Sequence, residues 1–383
     1  MKTTITILLL AGTYLWGGHR VAKAEPLYES KDIFIAGLDG VREYRIPALA
    51  TTNTGMLIAI CDARIKKPGD AINNIDLAMK RSADNGRTWE PVQFIADFPG
   101  EEAACDSSVV VDRMTDTIWV LYDHILDKPE RATVRKRELR TVNLHLIKSR
   151  DDGVTWSEPN DITQSVNQIG WETVMSAPGG GIQMRNSSLV FPCYTRRPDQ
   201  DHSHMLISAD HGKTWTISAD AGGKVDECQV VELANGSALL NMRSERGKGC
   251  RAIASTSDGG KSWEKLIDDV QLPDPKCQGS FIRHTDLRDG FRRNRLLFAN
   301  AANSSQRVNM TVRLSYDEGK TWPIAKVIYS GPSAYSCLTV LQDGSIGLLY
   351  ENGQATPYET ITFARFNLQW LTDGRDLEEP LRN

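Results

Sequence analysis

Residues 82–89 read SADNGRTW, and the chain returns to that phrase as SRDDGVTW at 149–156, SADHGKTW at 208–215, TSDGGKSW at 256–263 and SYDEGKTW at 315–322. An Asp two residues before a Gly suits a tight hairpin turn. The carboxylate accepts backbone N–H groups as in an Asx-turn, and the Gly supplies a positive φ. The Ser or Thr caps the same turn, and the closing Trp is a large apolar anchor for the neighbouring sheet. A calcium loop is the functional alternative, but these copies lack the series of alternating oxygen ligands and the distal Glu that an EF-type loop requires. The repeat therefore reads as scaffold.

The starts of the copies are separated by 67, 59, 48 and 59 residues, about one small antiparallel sheet with its loops. Between them lie short apolar runs with strand character, among them MLIAIC, TIWVLY, SLVFPCY, ALLNMR, RLLFAN and IGLLYE, separated by turn residues, while amphipathic helical patterns are scarce. Short strands with a periodic aromatic turn motif predict an all-β fold, a β-propeller. Five marked repeats and one unmarked closing repeat predict six blades. Radial packing also explains how a chain of 383 residues folds without a linker or one oversized core.

The first residues, MKTTITILLLAGTYLWGGHRVAKAEP, have a different character. Lys2 precedes an apolar stretch, Ile5 to Trp16, too short to span a bilayer, and Ala22-Lys23-Ala24 has the small-x-small pattern of a signal-peptidase site. The expectation is a signal peptide at 1–24, export to the periplasm or medium, no membrane anchor, and a catalytic domain at 25–383. Loss of Lys2, Arg20 and Lys23 takes the formal charge from −4 to −7, which argues against nucleic acid as a partner held by bulk charge. An anionic substrate would need a local basic cluster. The seven cysteines are scattered without CxxC or metal spacing, so small buried side chains are expected, with no metal and no cofactor. A monomer is expected.

Several polar residues stand in strand-like surroundings. Arg45 lies in REYRIPALA before a Pro that forces its neighbour to be extended. Arg64 ends CDAR, Arg243 ends LLNMR, and SSQRVNMTVRLS offers Arg307 and Arg313. Each alone is more often a solvated or salt-bridged surface arginine. Placed at strand ends in separate repeats, they can converge on a propeller axis.

YRIPAL at 44–49, the five Asp boxes, DECQVVELANGS at 226–237 followed by NMRS, and SAYSCLTVLQDGSIGLLYE at 333–351 occur in that order. In these segments the chain resembles the exo-sialidases (neuraminidases) of the bacterial and animal type, over essentially its whole mature length. The resemblance implies a triad of arginines at Arg45, Arg243 and Arg307, with Arg313 the less suitable third member. It implies a nucleophile at Tyr335, its partner base at Glu227 and an acid/base at Asp70, six residues beyond Arg64; Asp76 competes, although INNIDLAMK reads as a strand. Glu351 would orient Arg45, and Arg64 with Asp106 would face the sugar's 4-hydroxyl. The implied partners are sialylated glycans.

The chemistry of such a substrate explains the set. A sialic acid carries a carboxylate on the carbon where the glycosidic bond breaks. Planar, permanently charged guanidinium groups hold that anion by charge-assisted, partly bidentate hydrogen bonds. A carboxylate nucleophile would meet a second negative charge at ~4 Å, costing several kcal/mol at intermediate dielectric; a neutral phenol avoids this, and tyrosine sialidases are an exception to the two-carboxylate rule. Transfer to another sugar, release of an internal anhydro sugar, and a non-catalytic sialic-acid-binding propeller are the alternatives. Trp171, in GWETVMSAPGGG, is either an aromatic rim residue or a core residue.

Overall fold

The computed structural model describes residues 25–127 and 140–376. The expected signal peptide lies outside the described residues. The six apolar runs that framed the all-β expectation fall in sheet: for example MLIAIC enters strand Leu57–Arg64, SLVFPCY strand Leu189–Arg196 and IGLLYE strand Ile346–Asn352. Among the described residues the helices are two four-residue turns, Thr163–Val166 and Leu368–Leu371, and a short 3-10 turn at Leu287–Asp289.

The strands form four hydrogen-bonded sheets of nine, five, four and seven strands, built mostly of antiparallel neighbours in chain order, with parallel pairing of Ile75 to Ala103 and of Gly179–Gly180 to Ser108 and Val109. The order breaks in one informative place. Strand Tyr28–Ile35 pairs with the last strand, Thr360–Phe366, with Tyr28 opposite Phe366 and Ile35 opposite Thr360. The beginning of the domain thus completes the sheet at its end, which closes the assembly on itself and removes a bare edge.

Each Asp box begins on the final residue of a strand, at Ser82, Ser149, Ser208, Thr256 and Ser315. In the second copy Ser149 Oγ donates to Asp151 Oδ1 at 2.7 Å and accepts from Gly153 N at 2.9 Å, while Thr155 donates its N–H to Oδ1 at 2.9 Å and its hydroxyl to Oδ2 at 2.6 Å. The other four copies repeat this network. The turn carries two successive left-handed residues: φ is +58° at Asn85 and +84° at Gly86. Gly is needed at the second for space as well, because a Cβ on Gly86 would lie 2.0 Å from the Phe363 ring. Through such contacts the first box rests on the last sheet, as Gly153 of the second rests on Ile58 and Gly212 of the third on Trp119. The scaffold reading of the octapeptide is the one the coordinates follow.

The Thr155 hydroxyl and amide, with Ser149, hold Asp151 down at about 2. A depressed carboxylate contributes stability above its unfolded pKa of about 4, and that contribution is lost as pH falls towards the folded value. Asp151→Ala is therefore expected to lower Tm by about 2–4 °C at pH 7, with the gap to the parent closing near pH 2. Thermal melts at both pH values check this; an equal gap at both would mean that the ionised carboxylate is not what holds the turn.

All seven cysteines are buried thiols, with no disulfide among them. The core is divided into several apolar clusters between neighbouring sheets, which is how a chain of this length stays dry without one giant core.

Candidate active site

The strands that open successive antiparallel groups lie against one another: Glu43–Thr51 touches both Ala103–Asp112 and Ile324–Val340, and Ser280–Thr285 touches both Val225–Glu232 and Ile324–Val340. Four of these strands share a device. Their pairing slips between Arg45 and Ala48, between Cys105 and Ser108, between Val225 and Cys228, and between Ser333 and Ser336. A bulge releases residues from the ladder and re-aims their side chains. The residues at these slips include Arg45, Asp106, Glu227 and Tyr335. Ile46 and Asp106 take φ values of +61° and +57°, so Ile46 is not extended as the following Pro47 led one to expect, and each is held there by a buried acid: Ile46 N donates to Glu351 Oε1 at 2.7 Å and Asp106 N to Asp62 Oδ1 at 3.1 Å.

These bulges open on one cavity of about 800 Å3, lined by Arg45, Arg64, Asp70, Asp106, Glu227, Arg243, Arg307 and Tyr335. Eight of the nine site residues implied by the resemblance therefore share one concave wall. The ninth, Glu351, lies fully buried behind it. A second cavity, of about 580 Å3 and lined by Leu49, Val110, Phe281 and Leu338, contains none of them.

At the centre, Tyr335 Oη donates to Glu227, with Oε1 at 2.6 Å and Oε2 at 2.8 Å. Arg243 Nη1 bridges the pair, 2.8 Å from Glu227 Oε2 and 3.0 Å from Tyr335 Oη. The Arg45 and Arg307 guanidinium carbons lie 5.6 Å and 5.4 Å from the Tyr335 ring centroid. Burial, and next the charge of Glu227, push the Tyr335 phenol well above its ordinary range, with Arg243 and Arg307 pulling the other way. At neutral pH it is a neutral hydroxyl whose proton already points at a carboxylate.

The arginines are held differently. Arg45 Nε donates to Glu351 Oε1 at 2.7 Å, and Glu351 Oε2 accepts Tyr335 N at 3.0 Å, so one buried carboxylate fixes both an arginine and the backbone of the tyrosine. Arg307 donates to Tyr358 Oη at 3.0 Å and to Lys276 O at 3.2 Å, and has no carboxylate in ion-pair contact among the described residues. Arg313 instead bonds Asn300 Oδ1 at 3.1 Å and does not line the cavity, whereas Arg307 does.

Asp70 and Arg64 form a pair at 2.7 Å, and Arg64 also donates to Glu43 Oε2 at 3.0 Å. The Asp70 side chain is 81% exposed while Arg64 is nearly inaccessible, so a fixed cation at the base of the wall tethers a carboxylate that projects into the cavity. Asp76 sits buried on strand Ile75–Ser82 and does not line the cavity. Trp171 takes the packing alternative: it lies 5.2 Å from His204 in a cluster with Val174 and Phe191 and is not on the cavity wall.

Sequence reading missed several wall residues. Tyr358 and Arg196 stand outside the motifs that drew attention, and Asp226 was passed over beside Glu227, whose N–H its Oδ1 accepts at 2.7 Å. A polar residue between two apolar strands was the available signal, but it is shared by many surface positions.

Burial, then the nearby Glu227 and Asp70, push Asp106 up to about 7, against the pull of Arg64 and Arg196. A raised carboxylate favours the folded state at low pH, an effect present below about pH 4 and lost as pH rises through 7. If ionised Asp106 accepts a ligand hydroxyl, binding strengthens over the upper part of that window. KM is thus expected to fall about 3–10-fold from pH 6 to pH 8, and Asp106→Asn is expected to flatten the profile. An unchanged profile in that variant would remove Asp106 as its cause.

The family model of the BNR repeat-like domain matches residues 63–348. A sialidase of Micromonospora viridifaciens is 36% identical over 367 residues, 91% of this chain and 55% of that protein. An exo-alpha-sialidase of Aspergillus fumigatus is 30% identical over 419 residues, covering 98% of each chain. Among solved structures, a Hadza microbial sialidase is similar with a TM-score of 0.81 at 34% identity, over 89% of this chain and 69% of that one. The chain spans about half the length of the Micromonospora relative and nearly all of the Aspergillus one. The all-β architecture is that of the propeller-type sialidases it resembles. With that coverage and the arginine-walled cavity around Tyr335 and Glu227, the chain belongs to the sialidase family of BNR-repeat proteins.

Proposed function

We propose that this protein is an exo-α-sialidase that releases terminal sialic acid from glycoconjugates by a retaining double displacement. The observation that carries the reading is the grip of Arg45, Arg243 and Arg307 around a tyrosine–glutamate pair, with Arg307 lacking a carboxylate of its own. A carboxylate attached to the reacting carbon satisfies that cation and brings the carbon to the phenol. Glu227 removes the phenol proton as the oxygen attacks, so no free phenolate has to form in a buried site. The positive wall then stabilises charge as it develops on the oxygen.

Asp70 donates a proton to the departing glycosidic oxygen and later takes one from the incoming water. Its exposure and its single tether to Arg64 leave it free to meet either. Arg64 acts mainly through Asp70, while Asp106 faces the sugar's hydroxyl edge.

The same proposal includes six four-stranded blades, and the pairing supports it. The nine-stranded sheet divides at the parallel bridge between Ile75 and Ala103, and the seven-stranded one divides along Ile324–Val340, which pairs first with Val308–Ser315 and then with Ile346–Asn352. Export through residues 1–24 belongs to it as well.

The test is hydrolysis of a fluorogenic sialoside by purified residues 25–383, with NMR of the first-formed sugar. The α-anomer appearing first is expected. The β-anomer first, an anhydro sugar, or no turnover with binding retained would each overturn the reading.

A further inference from the structure

We propose that Tyr358 is a positioning residue that holds two members of the arginine triad in register before substrate arrives. The inference rests on the sialidase reading and deepens it. The Arg45 guanidinium carbon stacks 3.7 Å from the centroid of the Tyr358 ring, and the Tyr358 hydroxyl accepts from Arg307 Nη1 at 3.0 Å. One side chain thus touches the π-face of one cation and the donor fork of another. No other aromatic residue among the described ones approaches Arg45 so closely, since Tyr335 stands at 5.6 Å.

The loop that carries Tyr358 is built to present it. Residues 353–359 join strands Ile346–Asn352 and Thr360–Phe366. Glu359 folds back over its own loop: Oε1 accepts Ala355 N at 2.8 Å and Thr356 N at 2.9 Å, and Oε2 accepts Gln354 N at 3.0 Å. Gly353 has no room for a Cβ, which would lie 2.2 Å from Thr356 O, and its carbonyl accepts Tyr329 Oη at 2.7 Å. Pro357 fixes a further φ just before the tyrosine. The ring stands on a short, internally bonded arch.

The physical consequence concerns entropy and plane. A free arginine side chain carries rotamer entropy that binding would otherwise have to remove. Arg45 is locked at Nε by Glu351 but needs a second contact to set the plane of its fork, and the stacked ring supplies it. Arg307 has no acid partner, so the tyrosine hydroxyl and one carbonyl are its restraints. Remove the ring, and both forks lose their aim while the Tyr335–Glu227 pair keeps its own contacts.

The experiment compares Tyr358→Phe and Tyr358→Leu, reading kcat and KM on a fluorogenic sialoside and the Ki of free sialic acid. The Phe variant keeps the stack and loses the hydroxyl, so KM and Ki are expected to rise together about 3–10-fold with kcat little changed. The Leu variant loses both contacts and is expected to raise them about 30–100-fold. Graded, parallel increases with unchanged melting temperature support the proposal, since a merely structural residue would not move KM and Ki without stability. Wild-type KM and Ki in both variants would overturn it, as would a kcat loss at constant KM. The Phe variant is near-isosteric and keeps the test alive should the Leu variant fail to fold. An inactive parent protein would instead count against the sialidase reading, so the two failures are distinguishable.

Discussion

Tyr335→Phe is expected to lower kcat on an aryl sialoside about 10³-fold or more, with KM changed little, because it removes the oxygen that attacks in the proposed mechanism and leaves the arginine wall standing. The change deletes a hydroxyl whose contacts are Glu227 and Arg243, and those two retain their own 2.8 Å ion pair, so the fold has little to lose. The expectation follows from protonation. A buried phenol held well above its usual range is not an oxyanion at neutral pH, so the proposed attack requires that the proton pass to Glu227 in the same step. Steady-state kinetics with a melting curve as control decide the matter. Turnover within tenfold of the parent would end the nucleophile assignment.

The second large effect is expected from Glu351→Ala, and it falls on stability and binding together. Glu351 is fully buried and accepts from Arg45 Nε, Ile46 N and Tyr335 N. Truncation leaves a buried guanidinium without its carboxylate and two backbone donors without an acceptor. Breaking a buried pair from one side costs about 3–5 kcal/mol. Denaturant titration should show a loss of that order, and surviving folded enzyme should show a KM raised at least tenfold as Arg45 loses its aim. A loss below about 1 kcal/mol would mean that the cavity wall relaxes enough to solvate Arg45, and that Glu351 is not the keystone the geometry suggests. That Glu351 orients Arg45 is implied by the resemblance alone; its grip on the backbone of Tyr335 is not legible in the sequence.

That difference recurs. The Asp boxes were legible because every interaction in them is local: hydroxyl, carboxylate, amide and glycine lie within seven residues, and residue type alone specifies the turn. The strand runs were legible for the same reason. Arg307 and Arg313 could not be separated by strand reading, since both lie in one polar-studded segment; a hydrogen bond to Asn300 withdraws one of them. Tyr358 was invisible because a tyrosine after a proline in a loop carries no local signal, and its meaning comes from a ring contact with a residue 313 positions earlier in the chain.

By itself, then, the sequence determined the turns, the strands and the chemical types available, because these depend on neighbours along the chain. The tertiary structure alone decided which of those groups meet. Bulges in four strands release Asp106, Glu227 and Tyr335 from their ladders and break the ladder directly after Arg45, and all four residues line one cavity. Closure of the first strand onto the last sets Glu351 behind Arg45 across 306 residues. A ladder's register and a buried ion pair are properties of surfaces that meet only after folding, so no window of sequence can contain them.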